Sequence, residues 1–114
     1  MSGDYPRFSD AEMERRRSAL AAELGRADAS HALIYGANRA GSAVGWLTRW
    51  PVTREALCVF TPGERDLLLV NFYNHIPNAQ RLAREAEVGW AGPRPMATAI
   101  EELRRRGAAG GRVA

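Results

Sequence analysis

The chain contains no lysine: all sixteen of its basic residues are arginine. It has a single cysteine, two histidines and no run approaching the ~20 consecutive apolar residues that a membrane-spanning helix needs. Each shortage excludes a class of function. Gly36 and Gly41 in "GANRAG" have the glycine spacing of a phosphate-binding loop, but the residue that should be the phosphate-reaching lysine is Ser42, so nucleotide binding is not expected. No G-x-G-x-x-G follows a predicted strand, and no G-x-S-x-G marks a nucleophile elbow. Cys58, alone in "ALCVF", cannot form an internal disulfide and is expected to be a buried, inert thiol. His31 and His75 belong to no H-E-x-x-H or C-x-x-C arrangement, so neither a metal nor a cofactor is expected within the chain. The opening "MSGDYPRFSD" lacks the apolar core of a signal peptide. With no membrane segment either, the expected location is cytoplasmic.

What is present suits one globular domain over residues 1–114, at 46% hydrophobic and 25% charged residues. The net charge of +3 raises nucleic acid as a partner. Six arginines, however, sit in two triplets, residues 15–17 and 104–106, behind acids at helical spacing: Glu12 before Arg16, Glu101 before Arg105, Glu102 before Arg106. That spacing predicts solvated helix faces, and no aromatics are interleaved with the basic residues. No nucleic-acid partner and no membrane partner are expected.

Ser9 and Glu12 form a capping box ahead of an amphipathic helix carrying Met13, Leu20, Ala21 and Leu24, with Gly25 as its stop. "HALIYG" reads as a buried strand, and the segment ending before Pro51 as a short helix. "EALCVFTPGERDLLLV" is a hairpin signal, two apolar runs around Pro62-Gly63. A helix through Ala79, Leu82, Ala83 and Ala86, a short strand "EVGWA", and a helix through Met96, Ala99, Ile100 and Leu103 stopped by Gly107 complete the pattern, with Arg112-Val113-Ala114 as an incipient strand. This order predicts an α/β fold: a mixed, mostly parallel sheet with one antiparallel hairpin and helices on both faces.

Nothing in the chain forms a self-contained catalytic centre. The stretch "GWLTRWPVTREA" stands out, because tryptophan and arginine are the residues most enriched at interface hot spots. Trp46 is expected to fill the core, whereas Arg49, Trp50 and Arg54 are candidates for contact with substrate or partner. His75, in "NFYNHIPN", is a further candidate at the C-terminal end of a strand.

Taken together, "RRRSALAAEL", "DASHALIYGANRAGSAVGWLTRW" and "EALCVFTPGERDLLLV" resemble the N-terminal domain of the creatinase, prolidase and aminopeptidase P group of metallopeptidases. "GWLTRW" stands where that family has a segment like "YLTGF", with Leu47 and Thr48 matching and the aromatic displaced. The resemblance implies a ribonuclease-H-like topology. It also implies that catalysis resides in a following pita-bread domain, where two Asp, one His and two Glu bind two divalent metal ions (Mn, Co or Zn) that activate water against the Xaa-Pro bond. The implied partners are that C-terminal catalytic domain, a second copy in a homodimer and a proline-containing peptide substrate. On the same grounds Arg49, Trp50 and Arg54 stand in the connection whose aromatic and arginine contact substrate in creatinase-like members.

The expected role is therefore a non-catalytic N-terminal domain of a metal-dependent Xaa-Pro dipeptidase or aminopeptidase, contributing substrate gating and dimerisation. The alternatives are the same domain of a creatinase-like amidinohydrolase or lyase, or a self-contained flavodoxin-like module that binds a small ligand. "GGRVA" resembles the family's entry into its last sheet strand, so the chain is expected to be part of a longer protein and its final strand to be short or frayed.

Overall fold

The computed structural model describes residues 8–37, 43–52, 54–108 and 110–114; all of "NRAGS" within the glycine-spaced segment, and Thr53, lie outside the described residues. The elements are α1 (Asp10–Arg26), β1 (Ala32–Ala37), α2 (Ala43–Thr48), β2 (Glu55–Phe60), β3 (Leu67–Val70), a 3-10 turn (Tyr73–His75), α3 (Ile76–Leu82), β4 (Glu87–Trp90) and α4 (Pro95–Arg105). Ser9 caps α1 as its sequence requires, its Oγ accepting from the Glu12 amide at 3.1 Å. The helix then runs through Gly25 instead of stopping there. Asp28 takes the left-handed conformation, φ 56°, and the amides of Asp28 and Ala29 close onto the carbonyls of Gly25 and Leu24. Aspartate is among the few non-glycine residues that tolerate this region, so the stop falls three residues later than expected.

The four strands lie in the order β1-β2-β3-β4. β1 pairs antiparallel with β2 (Ala32↔Phe60 to Ala37↔Glu55), β2 antiparallel with β3 (Ala56↔Val70), and β3 parallel with β4 (Leu67↔Glu87). The sheet is mixed, with the expected hairpin and helices on both faces, but two of its three pairings are antiparallel, not most of them parallel. The connection from Ala37 to Glu55 is long enough for either direction, so its length does not decide the pairing; α2 packs back against β1 and β2, and the chain returns antiparallel. This order is also not the doubly wound parallel sheet of a flavodoxin-like module. The last residues do begin a strand: a parallel bridge joins His31 to Val113, and the Ala114 amide donates to the His31 carbonyl at 2.9 Å.

On one face Ala56, Leu68 and Val70 pack against Val44 and Trp50, against Ala79 of α3 and against Ala83 just after it, while Cys58, Phe60 and Ala32 meet Leu24 and Leu47. On the other, Leu57, Val59, Leu67 and Leu69 meet Ala99 and Leu103 of α4. Burial on both faces explains why β2 reads as an unbroken apolar run. Gly36 lets α2 lie close to β1, since a Cβ there would stand 3.1 Å from Val44 Cγ2. Cys58 is fully buried, and burial pushes its thiol pKa up, keeping it in the unreactive protonated form.

Two expectations are corrected. Trp46 does not fill the core: α2 buries Val44, Leu47 and Thr48, leaving Trp46 on the outer side at 38% exposure, and Trp50 takes the buried place at 4%. The arginine triplets are not simply solvated faces either, because Arg16 and Arg106 are buried side chains and Arg105 pairs with Glu102 in place of Glu101. Among the described residues no helix is long and apolar enough to cross a membrane.

Candidate functional site

β3 and β4 run parallel, so their C-terminal ends open at the same end of the sheet, where the chain leaves β3 through "NFYNH". β2 runs the other way and starts there, which brings Arg54 to the same place. The result is an aromatic rim. The Arg54 guanidinium lies 5.5 Å from the centroid of the Phe72 ring. His75 meets the same ring edge-on at 5.1 Å and is tilted against Trp50 at 5.9 Å. Tyr73 stands edge-on to Trp90 at 6.0 Å, and Trp90 Nε1 donates to the Asn71 carbonyl at 3.1 Å.

Of the four residues singled out from the sequence, Trp50, Arg54 and His75 come together and Arg49 does not. Trp50 acts from below, buried in the core beneath His75. Arg49 turns away, with φ 75°, and its Nη2 donates to the Phe8 carbonyl at 2.9 Å and to Asp10 Oδ1 at 3.0 Å, while Nη1 lies 3.9 Å from Glu85. Arg84 also donates to Asp10 Oδ1, at 2.8 Å, and the two guanidiniums hold the Asp10 carboxyl below its usual range. Arg49 therefore ties the start of α1 to the segment after α3, although its buried Nε is left without a hydrogen-bond partner. Sequence reasoning missed Phe72, Tyr73 and Trp90. An aromatic pair directly after an apolar strand, and a tryptophan closing a four-residue strand, were the available signals.

Beside the rim, on the α4 face, Tyr35, Glu55, Leu57, Leu69, Asn71 and Met96 line a cavity of about 190 Å³. Tyr35 donates its hydroxyl to Glu55 Oε2 at 2.8 Å, and this bond raises the tyrosine pKa. The floor is apolar and the lip carries one carboxylate, an arrangement suited to holding an apolar group. His31 is elsewhere and structural: at 5% exposure its ring joins Ser30 Oγ (2.7 Å) to the Arg106 carbonyl (3.3 Å), tying the start of β1 to the end of α4. Among the described residues no three His, Cys, Asp or Glu side chains gather in a group that could hold a metal ion.

The sequence matches no family model and no curated protein. The fold does have relatives, and they define a class: the creatinase/prolidase-like N-terminal fold. The chain superposes on aminopeptidase P, a Xaa-Pro aminopeptidase from Streptococcus thermophilus, with a TM-score of 0.65 and 19% identity over 83% of this chain and 68% of that one. A Xaa-Pro dipeptidase from Bacillus anthracis gives a TM-score of 0.70 at 9% identity, covering 83% of this chain and only 25% of the dipeptidase. The N-terminal creatinase/prolidase-like domain of a proposed metallopeptidase from Corynebacterium diphtheriae gives 0.63 at 14% identity, over 89% and 93% of the two chains.

Proposed function

We propose that this chain is the non-catalytic N-terminal domain of a metal-dependent Xaa-Pro dipeptidase or aminopeptidase, working in the cytoplasm. The observation that carries the reading is the fold likeness to parts of two Xaa-Pro peptidases and to one isolated N-terminal domain. In this reading a catalytic domain belonging to the same polypeptide holds the two divalent ions, Mn, Co or Zn, and supplies the water that attacks the Xaa-Pro bond. The present domain narrows access to that site and contributes a dimer contact. Arg54 and His75 are its gating residues: held against Phe72, the Arg54 guanidinium offers planar donors suited to the carboxylate of a proline-containing peptide.

Two experiments test this. The purified chain, given Xaa-Pro dipeptides with Mn²⁺ or Co²⁺, should show no hydrolysis; metal-dependent turnover that tracks the chain through purification would overturn the non-catalytic assignment. In the full-length polypeptide, Arg54→Ala should lower kcat/KM about tenfold, the loss expected for one charge-assisted contact, with no change in thermal stability.

A further inference from the structure

Arg54 and Glu55 are adjacent in sequence and face opposite sides of the sheet. Arg54 lies over Phe72 at the rim, whereas Glu55 faces the α4 side and accepts from the Tyr35 hydroxyl at 2.8 Å. The antiparallel pairs Tyr35↔Leu57 and Ala37↔Glu55 set these two side chains beside each other on that face. The Glu55 carboxylate is thereby held at the lip of the cavity of about 190 Å³.

Three features of this cavity define what it can hold. Its floor is apolar, because Leu57, Leu69 and Ala91 line it and are buried. Its size suits one small group: a dry apolar cavity of about 150 Å³ admits benzene, and drug-sized ligands need about 300 Å³ or more. The third feature is charge. Among the described residues Glu55 is the one charged side chain in the wall, in a chain whose net charge is +3. The protein as a whole draws anions, and at this wall the carboxylate draws a cation instead. The first turn of α4 borders the cavity, but it opens on Pro95, which has no N–H and so offers an anion one donor fewer. The Tyr35 hydroxyl engages Oε2, and among the described residues Oε1 accepts no hydrogen bond.

We infer that this cavity binds a small primary amine as its ammonium ion, with a single ring or a branched alkyl group seated on Leu57, Leu69 and Ala91 and the ammonium donating to Glu55. The Tyr35 ring, which also lines the cavity, adds an aromatic attraction for the cation. The site lies across the sheet from Arg54 and His75, so it is separate from the gating role proposed above. Its test reads binding and not hydrolysis, and a failure here leaves the Xaa-Pro reading standing.

Phenethylamine is the probe, titrated into the isotope-labelled 114-residue chain and followed by amide NMR. Signals of Tyr35, Leu57, Leu69 and Met96 should shift and saturate with a midpoint of about 1 mM, ordinary for a ligand of so few atoms. Phenylethanol, its neutral counterpart, should bind about fivefold more weakly, the loss of one exposed charge-assisted contact. Glu55→Gln should bring the amine down to the level of the alcohol and leave the alcohol unchanged. Ala91→Leu, which puts a larger side chain into the wall, should abolish the response to both, with circular dichroism confirming its fold. The Glu55→Gln comparison stands whether or not that variant folds, because it alters an exposed side chain. No saturable shift at the cavity residues, an alcohol that binds as well as the amine, a Glu55→Gln chain that binds the amine as before, or a folded Ala91→Leu chain that still binds it would each overturn the assignment.

Discussion

α1 and α4 carry the same short pattern on opposite faces of the sheet, a glutamate followed three and four residues later by two arginines. In α1 Glu12 accepts from exposed Arg15 and buried Arg16, at 2.8 and 2.9 Å; in α4 Glu102 accepts from exposed Arg105 and, at 2.7 Å, from buried Arg106. In each helix the buried arginine reaches on to a carbonyl of a distant connection: Arg16 to Trp46 at 2.8 Å, Arg106 to Arg65 at 2.6 Å. The helices also end alike, with the amide two residues past the cap bonded to the carbonyl of Leu24 in one and Leu103 in the other.

The difference lies in the third arginine and in the residue at the stop. Arg17 follows its pair and forms an ion pair with Asp66, which is 1% exposed and keeps one carboxylate oxygen without a partner. Arg104 precedes its pair and is exposed. The left-handed stop is Asp28 in α1 and Gly107, φ 82°, in α4. Arg17 and Arg106 meet the same target from opposite faces, since Arg17 also donates to the Glu64 carbonyl and Arg106 to Thr61 Oγ1 and the Arg65 carbonyl. The β2–β3 turn is thus clamped between two helices, and one clamp contains a buried charge. Local sequence sets which arginines pair with a neighbouring glutamate; tertiary packing sets what the buried ones hold.

The largest test of this contrast is Arg17→Met, which leaves the Asp66 carboxylate buried without its counter-charge. It should cost about 3 kcal/mol in urea unfolding, and Asp66→Asn added to it should recover part of that loss. A cost no greater than that of an exposed arginine would break the comparison. Arg106→Met and Arg16→Met should each cost about 2 kcal/mol, by stranding a carbonyl acceptor in a part-buried site. If only one of the two does, the two buried arginines are not equivalent ties to their distant connections. At the helix stops the signs should oppose: Gly107→Ala should destabilise by about 1 kcal/mol, and Asp28→Gly should stabilise by a few tenths to about 1 kcal/mol.

Acid titration followed by carboxyl NMR sharpens the same contrast. Hydrogen bonds from Arg15 and Arg16 lower the Glu12 pKa to about 2, and those from Arg105 and Arg106 lower that of Glu102. A depressed folded-state pKa contributes stability above the unfolded value of 4.5, and that stability is lost as pH falls through the folded value. Asp66 moves the other way. Burial raises its pKa, with Arg17 offsetting part of the shift, so protonation favours the folded state and this contribution fades as pH rises through the raised pKa. Glu12 should therefore titrate below Asp66, despite its higher ordinary pKa. The smallest effects belong to Arg15→Ala and Arg105→Ala, exposed ion pairs whose loss should leave the thermal midpoint unchanged.

Much of this architecture was legible locally. Ser9 capping Glu12, Pro62-Gly63 turning the hairpin and Gly107 stopping α4 are short-range devices, each satisfied within a few residues. The alternation of apolar runs also placed every strand. Strand direction was not legible, because the β1–β2 connection is long enough for either direction and the choice is made by packing. The site was legible in part. Arg54 and His75 stood out by residue type, but Arg49 and Trp50 beside them could not be sorted until the structure showed Arg49 bonded to Asp10 and Trp50 in the core.

By itself, then, the sequence determined the helices, the strands and most of their caps and turns. Those features follow from backbone hydrogen bonding and hydrophobic periodicity, which act over a few residues. Only the tertiary structure decided that the sheet is chiefly antiparallel, that two of the six triplet arginines are buried and reach distant carbonyls, and that residues 54, 72, 73, 75 and 90 form one rim. Those depend on which distant groups meet when the apolar faces are buried, and burial couples residues with no regard for their separation along the chain.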